Sequence, residues 1–174
     1  LDVAAGGIPT SDDGRVVVDD TMATPLDGVW ALGDIANGYQ LKHLANAEAK
    51  VAFWNLAHPD DQRRVDYRAV PHAIFGHPQI AGVGLTEAEA KKRGYDVRVG
   101  RFNFGSLAKP RIIGHPEGLV KVVSEAKYDE VLGVHMVGPH ATDLISEACV
   151  ALRLEATTEE IFRTVHPHPT LPEA

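Results

Sequence analysis

Three stretches in the second half of the chain alternate apolar and polar residues, and this pattern constrains the fold more than any other feature. The stretches are Asp96–Phe104, Gly118–Val123 and Val131–Val137. Alternation with a period of two is typical of a β-strand that buries one face and exposes the other. Two shorter strands are predicted before them, over Pro71–Phe75 and Gln79–Leu85. Together these strands predict an antiparallel sheet with one face against a hydrophobic core.

Helices are also predicted in this half of the chain, but they do not alternate regularly with the strands. Thr86 and Glu89 have the spacing of a capping box and predict a helix over residues 87–93. Apolar residues at helical spacing predict a longer helix over 141–153. Strands that are grouped together and followed by helices are typical of the α+β class. We therefore expect residues 69–174 to form an α+β domain.

Residues 1–68 show a different pattern, typical of an α/β domain. Arg15–Asp19 predicts a short strand, and Val29–Gly33 is a continuous apolar run that suits a strand buried on both faces of a parallel sheet. Asp34 follows this run, at the end of the strand where α/β sheets bind ligands. Gly33 permits close approach of a ligand, and Asp34 offers acceptors for sugar-type hydroxyl groups. A plain turn at the end of a strand is the alternative interpretation.

A helix is predicted over residues 41–57 of this first part. Its apolar positions recur at helical spacing and are expected to face the core: Leu44, Ala47, Val51 and Trp54. The polar stretch 58–71 that follows indicates a linker. We therefore place the domain boundary between residues 68 and 69.

The terminal run Thr164–Ala174 contains two histidines, three prolines and one glutamate. Each proline fixes its own φ and biases the preceding residue to extended backbone, so the backbone that carries His168 is conformationally restricted. Thr170 and Glu173 have the spacing of a capping box, which predicts a helix opening there. Glu173 would then reach the His168 ring. A carboxylate on one ring nitrogen sets the tautomer and raises the basicity of the other nitrogen, as general acid–base catalysis requires.

Two other interpretations of this run stay open. Glu173 can act as a cap alone, with His166 and His168 lining a surface loop. The His-x-His spacing also occurs in metal sites. Pro167 and Pro169 are awkward for such a site, and no Cys or Asp lies nearby in the sequence, so we expect no metal there.

Composition limits the partners that this chain can have. The 174 residues are 44% apolar and 24% charged, and their net charge is −7. An acidic chain of this kind has no general attraction to nucleic acid or to an anionic membrane. No apolar stretch approaches the ~20 residues of a membrane-spanning helix, so we expect neither partner. The chain begins with Leu1 and ends where a helix is predicted to open, so we expect it to be a piece of a longer protein.

The single cysteine, Cys149, lies on the apolar face of the predicted helix 141–153. One cysteine excludes an internal disulfide and fits a reducing compartment, so we predict a cytoplasmic location. A buried and unreactive thiol is expected at this position.

The terminal motif His166–Glu173 resembles the His-x-His-Pro-Thr-Leu-Ser-Glu motif of dihydrolipoyl dehydrogenases. These enzymes are members of the flavin-dependent pyridine nucleotide–disulfide oxidoreductases, with the glutathione, mercuric and mycothione reductases. The resemblance implies that His168 is the acid–base catalyst beside a redox-active dithiol and that Glu173 orients it. Pro167 and Pro172 stand where dihydrolipoyl dehydrogenases commonly have Ala and Ser.

The stretch Thr24–Asp34 resembles the motif with which the same family holds FAD, and it implies that Asp34, beside Gly33, binds the ribityl chain. In dihydrolipoyl dehydrogenases, a segment that ends nine residues after this aspartate runs past the flavin and opens a helix. The residues of this chain at the matching positions are Gln40, Leu41, Lys42 and His43. Leu41 and His43 match the dihydrolipoyl dehydrogenase pattern, whereas the Lys42 position is closer to mycothione reductase. A helix N-terminus there would stabilise negative charge on the reduced ring. A solvated first turn is the alternative.

The stretches Val70–Ala90 and Leu132–Ala148 resemble the interface domain of this family. The resemblance implies a homodimer in which His168 serves the dithiol of the other subunit. It also implies electron transfer between NAD(P)(H), bound by a portion outside this chain, and a lipoyl group or small disulfide.

Other functions remain open at this stage. Cys149 cannot form a redox dithiol alone, so the segment by itself would be a dimerisation module without catalysis. A relative with one active cysteine, of the FAD-dependent oxidase or NADH peroxidase type, is a third hypothesis. The terminal His–Glu pair argues against that third hypothesis.

Overall fold

The computed structural model describes residues 2–174, and these divide into two compact units. The first unit extends to Tyr67, and the second is Arg68–Ala174. The boundary placed from the sequence, between residues 68 and 69, lies one position further along the chain.

The second unit is built on one antiparallel sheet of five strands, in the spatial order β1-β2-β5-β4-β3. The strands are β1 His72–Ile74, β2 Gln79–Gly84, β3 Val97–Asn103, β4 Leu119–Glu125 and β5 Val131–Gly138. The antiparallel sheet and the α+β class predicted from the alternating pattern are therefore confirmed.

The register of the central strands brings three loops to the same end of the sheet. Gln79, which begins β2, pairs with Gly138 at the end of β5. Leu119, which begins β4, pairs with Val137 of β5. The loop before β2, the loop before β4 and the loop after β5 therefore meet at this end.

Four α-helices accompany the sheet: α2 Glu87–Lys92, α3 Ala108–Ile112, α4 Ala141–Arg153 and α5 Thr158–Arg163. The capping box at the start of α2 is complete, because Thr86 and Glu89 bond reciprocally to each other's backbone N–H. Helix α3 was not predicted from the sequence, since it contains Pro110. Proline is tolerated there because it occupies the first turn, where backbone N–H groups have no partner within the helix.

Helix α4 packs against β2 and β5 and closes the core of the second unit. Its buried residues lie on one face, as the apolar period requires: Ala141, Ile145, Ala148, Ala151 and Leu152. They meet Val83, Val134 and Met136 from the sheet. Ser124 is the buried polar side chain among the described residues of this unit, and the other buried side chains are apolar, so the unit is held together mainly by hydrophobic burial.

Among its described residues, the first unit contains one α-helix, α1 Lys42–Ala57, and one short 3-10 helix, Gly33–Ile35, and is otherwise made of loops and turns. The strands predicted over Arg15–Asp19 and Val29–Gly33 are wrong. Each stretch makes a single isolated bridge, Val16 with Thr10 and Trp30 with Ala23. Local sequence favours extended backbone at these positions, but a ladder needs a neighbouring strand in register, and the first unit supplies none within the described residues.

The buried face of α1 also differs from the prediction. The side chains that turn inward are Leu44, Glu48, Ala52 and Asn55, while Ala47 is exposed. Trp54 was predicted to lie in the core, but it packs between the His58 ring and the Arg63 guanidinium at the edge of the helix. The helix has turned its polar Glu48 and Asn55 inward because the surrounding loops need hydrogen-bond acceptors and donors.

No helix among residues 2–174 combines the length and the apolar character required to cross a membrane.

Candidate functional site

The terminal run places His168 and Glu173 in direct contact. Nδ1 of His168 lies 2.8 Å from Oε1 of Glu173. The second carboxylate oxygen, Oε2, accepts a hydrogen bond of 2.7 Å from the backbone N–H of Thr170. Glu173 is therefore held by the backbone on one side while it holds the imidazole on the other.

The helix that was predicted to open at Thr170 does not form within the described residues. Residues 171–173 make a bend and a turn. The hydroxyl of Thr170 donates to the carbonyl oxygen of Pro167 at 2.6 Å, so it is not placed as a helix cap. Only one half of the capping box is present, the contact from the Glu173 carboxylate, and this contact is enough to position Glu173.

Electrostatics determine how this pair is protonated. The backbone N–H of Thr170, followed by the bond to His168, lowers the pKa of Glu173 below its ordinary value. Glu173 is thus an anion at neutral pH, and Nδ1 of His168 must be the donor in their hydrogen bond. Within residues 2–174, Nε2 of His168 makes no hydrogen bond, and 72% of the side chain is exposed. Nε2 is therefore free to exchange a proton with a substrate group.

His166, the other histidine of the run, has a different partner. Its Nε2 lies 2.7 Å from Oε1 of Glu147 on helix α4, and only 18% of its side chain is exposed. This contact ties the terminal run to the core helix. His166 and His168 therefore engage separate carboxylates and do not face a common centre.

A second group of predicted site residues lies in the first unit, where Gly33 and Asp34 begin a short 3-10 helix that extends to Ile35. Gly33 has φ of +73°, and a Cβ added there would lie 3.3 Å from Cβ of Ala45. Glycine thus lets this loop lie against the first turn of α1. Asp34 is exposed, and its side chain makes no hydrogen bond to any described residue.

Glu48 holds this loop in place, although it was not among the site residues predicted from the sequence. It is fully buried, and Oε2 accepts a 2.7 Å hydrogen bond from the backbone N–H of Gly33. Its carboxylate also accepts from the side-chain amide of Asn37 and from the hydroxyl of Tyr67. Apolar periodicity could not find a buried carboxylate. Its position four residues after the buried Leu44 was the available signal.

The remaining predicted residues, Gln40–His43, lie where α1 begins. Gln40 has φ of +54°, and Leu41 is the extended N-cap, whose side chain makes no capping hydrogen bond. Lys42 bonds to Asn46 one turn further along the helix. His43 is exposed on the same turn.

The loop and the helix start offer complementary groups to a ligand. Asp34 supplies carboxylate acceptors, and the first turn of α1 supplies backbone N–H donors together with the positive end of the helix dipole. A ligand with several hydroxyl groups and an electron-rich carbonyl fits this donor and acceptor set.

Cys149 on helix α4 is half-buried, and burial raises the pKa of its thiol above the ordinary value. A raised pKa keeps the thiol protonated at neutral pH and therefore unreactive.

Comparison with known protein families agrees with this fold. Residues 70–174 match the family described as pyridine nucleotide-disulphide oxidoreductase, dimerisation domain. Residues 1–49 match the family described as pyridine nucleotide-disulphide oxidoreductase. The chain belongs to the pyridine nucleotide-disulphide oxidoreductases.

Dihydrolipoyl dehydrogenases are among the most similar relatives. The enzyme of Bacillus subtilis is 42% identical over 168 residues, which cover 94% of this chain and 34% of the relative. The enzyme of Halobacterium salinarum is 40% identical over 174 residues, which cover 100% of this chain and 36% of the relative. The chain thus spans about a third of the length of these relatives.

Solved structures share the fold. The HOCl-induced flavoprotein disulfide reductase RclA from Escherichia coli aligns over 99% of this chain and 40% of its own, with a TM-score of 0.89 and 23% identity. LpdA from Mycobacterium tuberculosis aligns over 99% of this chain and 38% of its own, also with a TM-score of 0.89 and 23% identity.

Proposed function

We propose that this chain is the C-terminal part of an FAD-dependent oxidoreductase of the dihydrolipoyl dehydrogenase type. Such an enzyme would transfer electrons between NAD(P)(H) and a disulfide or dithiol substrate, such as a lipoyl group or a small disulfide. The observation that carries the proposal is the 2.8 Å contact between His168 and Glu173, which leaves the second nitrogen of an exposed imidazole ready for proton transfer. The identity of about 40% to dihydrolipoyl dehydrogenases supports the same reaction class.

His168 would act on a thiol proton. Its Nε2 takes the proton from one thiol of a dithiol, and the resulting thiolate attacks a disulfide sulfur. A mixed disulfide forms, the other sulfur leaves as a thiolate, and His168 returns the proton to it. Glu173 would stabilise the imidazolium between these two steps, and the N–H of Thr170 holds Glu173 for that task.

The loop at Asp34 would hold FAD, which supplies the two-electron chemistry when bound. Asp34 would accept hydrogen bonds from the ribityl hydroxyls, with the Gly33 backbone close beside it. The start of α1, over Gln40, Leu41, Lys42 and His43, would direct backbone N–H groups toward the ring. NAD(P) would be bound by a portion outside this chain.

The match of residues 70–174 to a dimerisation domain supports dimerisation of this chain. We propose a homodimer in which His168 acts on the dithiol of the other subunit. The dithiol lies outside these 174 residues, since they contain only Cys149. A cytoplasmic location, and the absence of nucleic acid and membrane from its partners, stay predictions.

Substitution of His168 tests the proposal in an intact enzyme that carries this chain. His168→Gln is expected to lower kcat for dithiol–disulfide exchange by about 100-fold or more, because general acid–base catalysis contributes at least that much. The flavin absorption bands should be unchanged, since the proposal gives His168 no part in holding FAD. Lipoamide and mycothione-type disulfides should be compared as substrates in the same assay.

His166→Gln is the matched control, because it changes a histidine two positions away that has its own carboxylate partner. Glu173→Gln should give a smaller loss of kcat and a shifted pH profile, since Glu173 acts only through His168. Normal exchange in the His168→Gln enzyme would refute the catalytic role.

A second candidate function is favoured by the cysteine content. With Cys149 as its single thiol, the 174-residue chain alone would be a dimerisation module without catalysis. Light scattering and a visible spectrum of the purified chain separate these cases. A dimer without flavin bands supports the module, whereas flavin bands support an FAD site that is complete in this chain.

A further inference from the structure

Three side chains with metal-binding atoms converge at the end of the sheet where the central strands bring loops together. His77 lies two residues before β2, and His115 and Glu117 lie in the loop that leads into β4. Their ligand atoms all lie within 4.8 Å of one another. The proposed reaction does not use these residues.

The strand register produces this convergence. The loops before β2 and β4 both meet the end of β5, so residues 38 positions apart in sequence become neighbours. Gly118 makes the approach possible. It has φ of +126°, and a Cβ added there would lie 2.2 Å from the carbonyl oxygen of Val137. Only glycine permits the loop that carries His115 and Glu117 to come this close to β5.

The three side chains are already in contact with each other. The rings of His77 and His115 meet edge to face, with centroids 5.2 Å apart. Nδ1 of His115 lies 3.3 Å from Oε1 of Glu117. Two ligand atoms that share a zinc ion lie at most about 4 Å apart, because each is about 2 Å from the metal. Small side-chain rotations therefore suffice to bring all three atoms onto one ion.

The surroundings leave room for an ion and a further ligand. A cavity of about 190 Å³ is lined by these three side chains and by His140, which follows β5. His77 and Glu117 are exposed, so an ion can enter from solvent.

We propose that His77, His115 and Glu117 bind a divalent transition-metal ion of the zinc type, with the fourth position open to water or His140. Two imidazoles and one carboxylate form a borderline ligand set that zinc accepts readily. Calcium and magnesium prefer all-oxygen sites, so these ions are excluded. This site is separate from the pair formed by His168 and Glu173.

Calorimetric titration of the metal-free 174-residue chain with Zn²⁺ tests the proposal. We expect one Zn²⁺ per chain. His77→Ala, His115→Ala and Glu117→Gln should each weaken binding more than about tenfold, since even an outer-shell partner of a metal is worth that much. Co²⁺ in place of Zn²⁺ should give visible absorption bands typical of four or five ligands.

His168→Ala is the control, because it removes a competing imidazole–carboxylate pair and should leave Zn²⁺ affinity unchanged. Far-UV circular dichroism of each variant verifies that the sheet is intact, and the exposed position of His77 and Glu117 makes this outcome expected. The proposal is overturned by any of three results: no stoichiometric binding, unchanged binding in the His77→Ala and His115→Ala variants, or loss of binding in His168→Ala.

Discussion

The two units of this chain are stabilised in different ways. In the second unit, the apolar face of α4 packs against a sheet, and Ser124 is the one buried polar side chain among its described residues. In the first unit, a single helix holds the loops through two buried polar side chains, Glu48 and Asn55. Asn55 bonds to the backbone of Arg63 in both directions and to the carbonyl oxygen of Thr21.

This difference has a physical reason. A sheet satisfies its own backbone through its ladder, so its core can be purely apolar. Loops have no ladder, and their buried backbone groups must be satisfied by side chains. The first unit therefore buries the hydrogen-bonding side chains of Glu48 and Asn55, whereas the second buries mainly apolar side chains. We therefore expect substitutions in the second unit to lower stability through lost apolar burial, and substitutions in the first unit to lower it, by less, through lost hydrogen bonds.

The largest loss of folding stability is expected from Ile145→Ala in α4. Ile145 is 3% exposed and lies in the apolar core. Its truncation should destabilise the second unit by about 3 kcal/mol, through lost burial and the cavity left behind. Urea unfolding followed by far-UV circular dichroism measures this loss. Val150→Ala on the same helix is the control, since Val150 is 58% exposed.

The same variant also tests whether the units unfold separately. Trp30 and Trp54 are the two tryptophans of the chain, and both belong to the first unit. If the units are independent, the tryptophan fluorescence transition of Ile145→Ala should keep its midpoint. A joint shift of both transitions would show that the two units unfold as one, and would contradict their independent stabilisation.

A smaller effect is expected from Glu48→Ala, and it should appear in tryptophan fluorescence. The change leaves the N–H of Gly33 and the side chains of Asn37 and Tyr67 without their acceptor. Because these buried donors are left unsatisfied, we expect the free energy of unfolding to fall by about 2 kcal/mol. Lys50→Ala on the exposed side of α1 is the control. A larger loss for Val51→Ala than for Glu48→Ala would instead support the buried face predicted from apolar spacing.

The smallest effect concerns Tyr67 and appears only in alkaline solution. Burial, the hydrogen bond to Glu48 and the negative charge of Glu48 raise the pKa of Tyr67 well above its ordinary value. A raised pKa in the folded state means that this stabilisation is present below the ordinary tyrosine pKa of about 10 and is lost as the pH rises beyond it. The first unit should therefore lose stability in that range.

Absorption of tyrosinate in the near ultraviolet measures this titration. Among the four tyrosines of the chain, one component should ionise late, and Tyr67→Phe should remove it. Tyr39→Phe is the matched control, because the Tyr39 ring stacks on Tyr67 at 5.7 Å without bonding to Glu48. Disappearance of the late component in Tyr39→Phe alone would contradict the assignment.

Much of the second unit could be predicted from the sequence because its signals are local. A period of two predicts a strand, and Thr86 with Glu89 predicts the start of α2; neither inference needs knowledge of distant residues. The contact of His168 with Glu173 is also local, since five residues separate them along a run stiffened by proline. Of the predicted capping box, only the contact from the Glu173 carboxylate to the Thr170 N–H is present, because the Thr170 hydroxyl bonds to Pro167.

Tertiary structure alone decided which face of α1 is buried and which loops meet at the end of the sheet. Apolar spacing favoured Ala47 and Val51, but the backbone of the neighbouring loops required Glu48 and Asn55 inside. His77 and His115 lie far apart in sequence, and only the pairing of β2 and β4 with β5 makes them neighbours. Local patterns encode dihedral preference and amphipathicity. Partners across the fold depend on strand register and on which polar groups are left to satisfy.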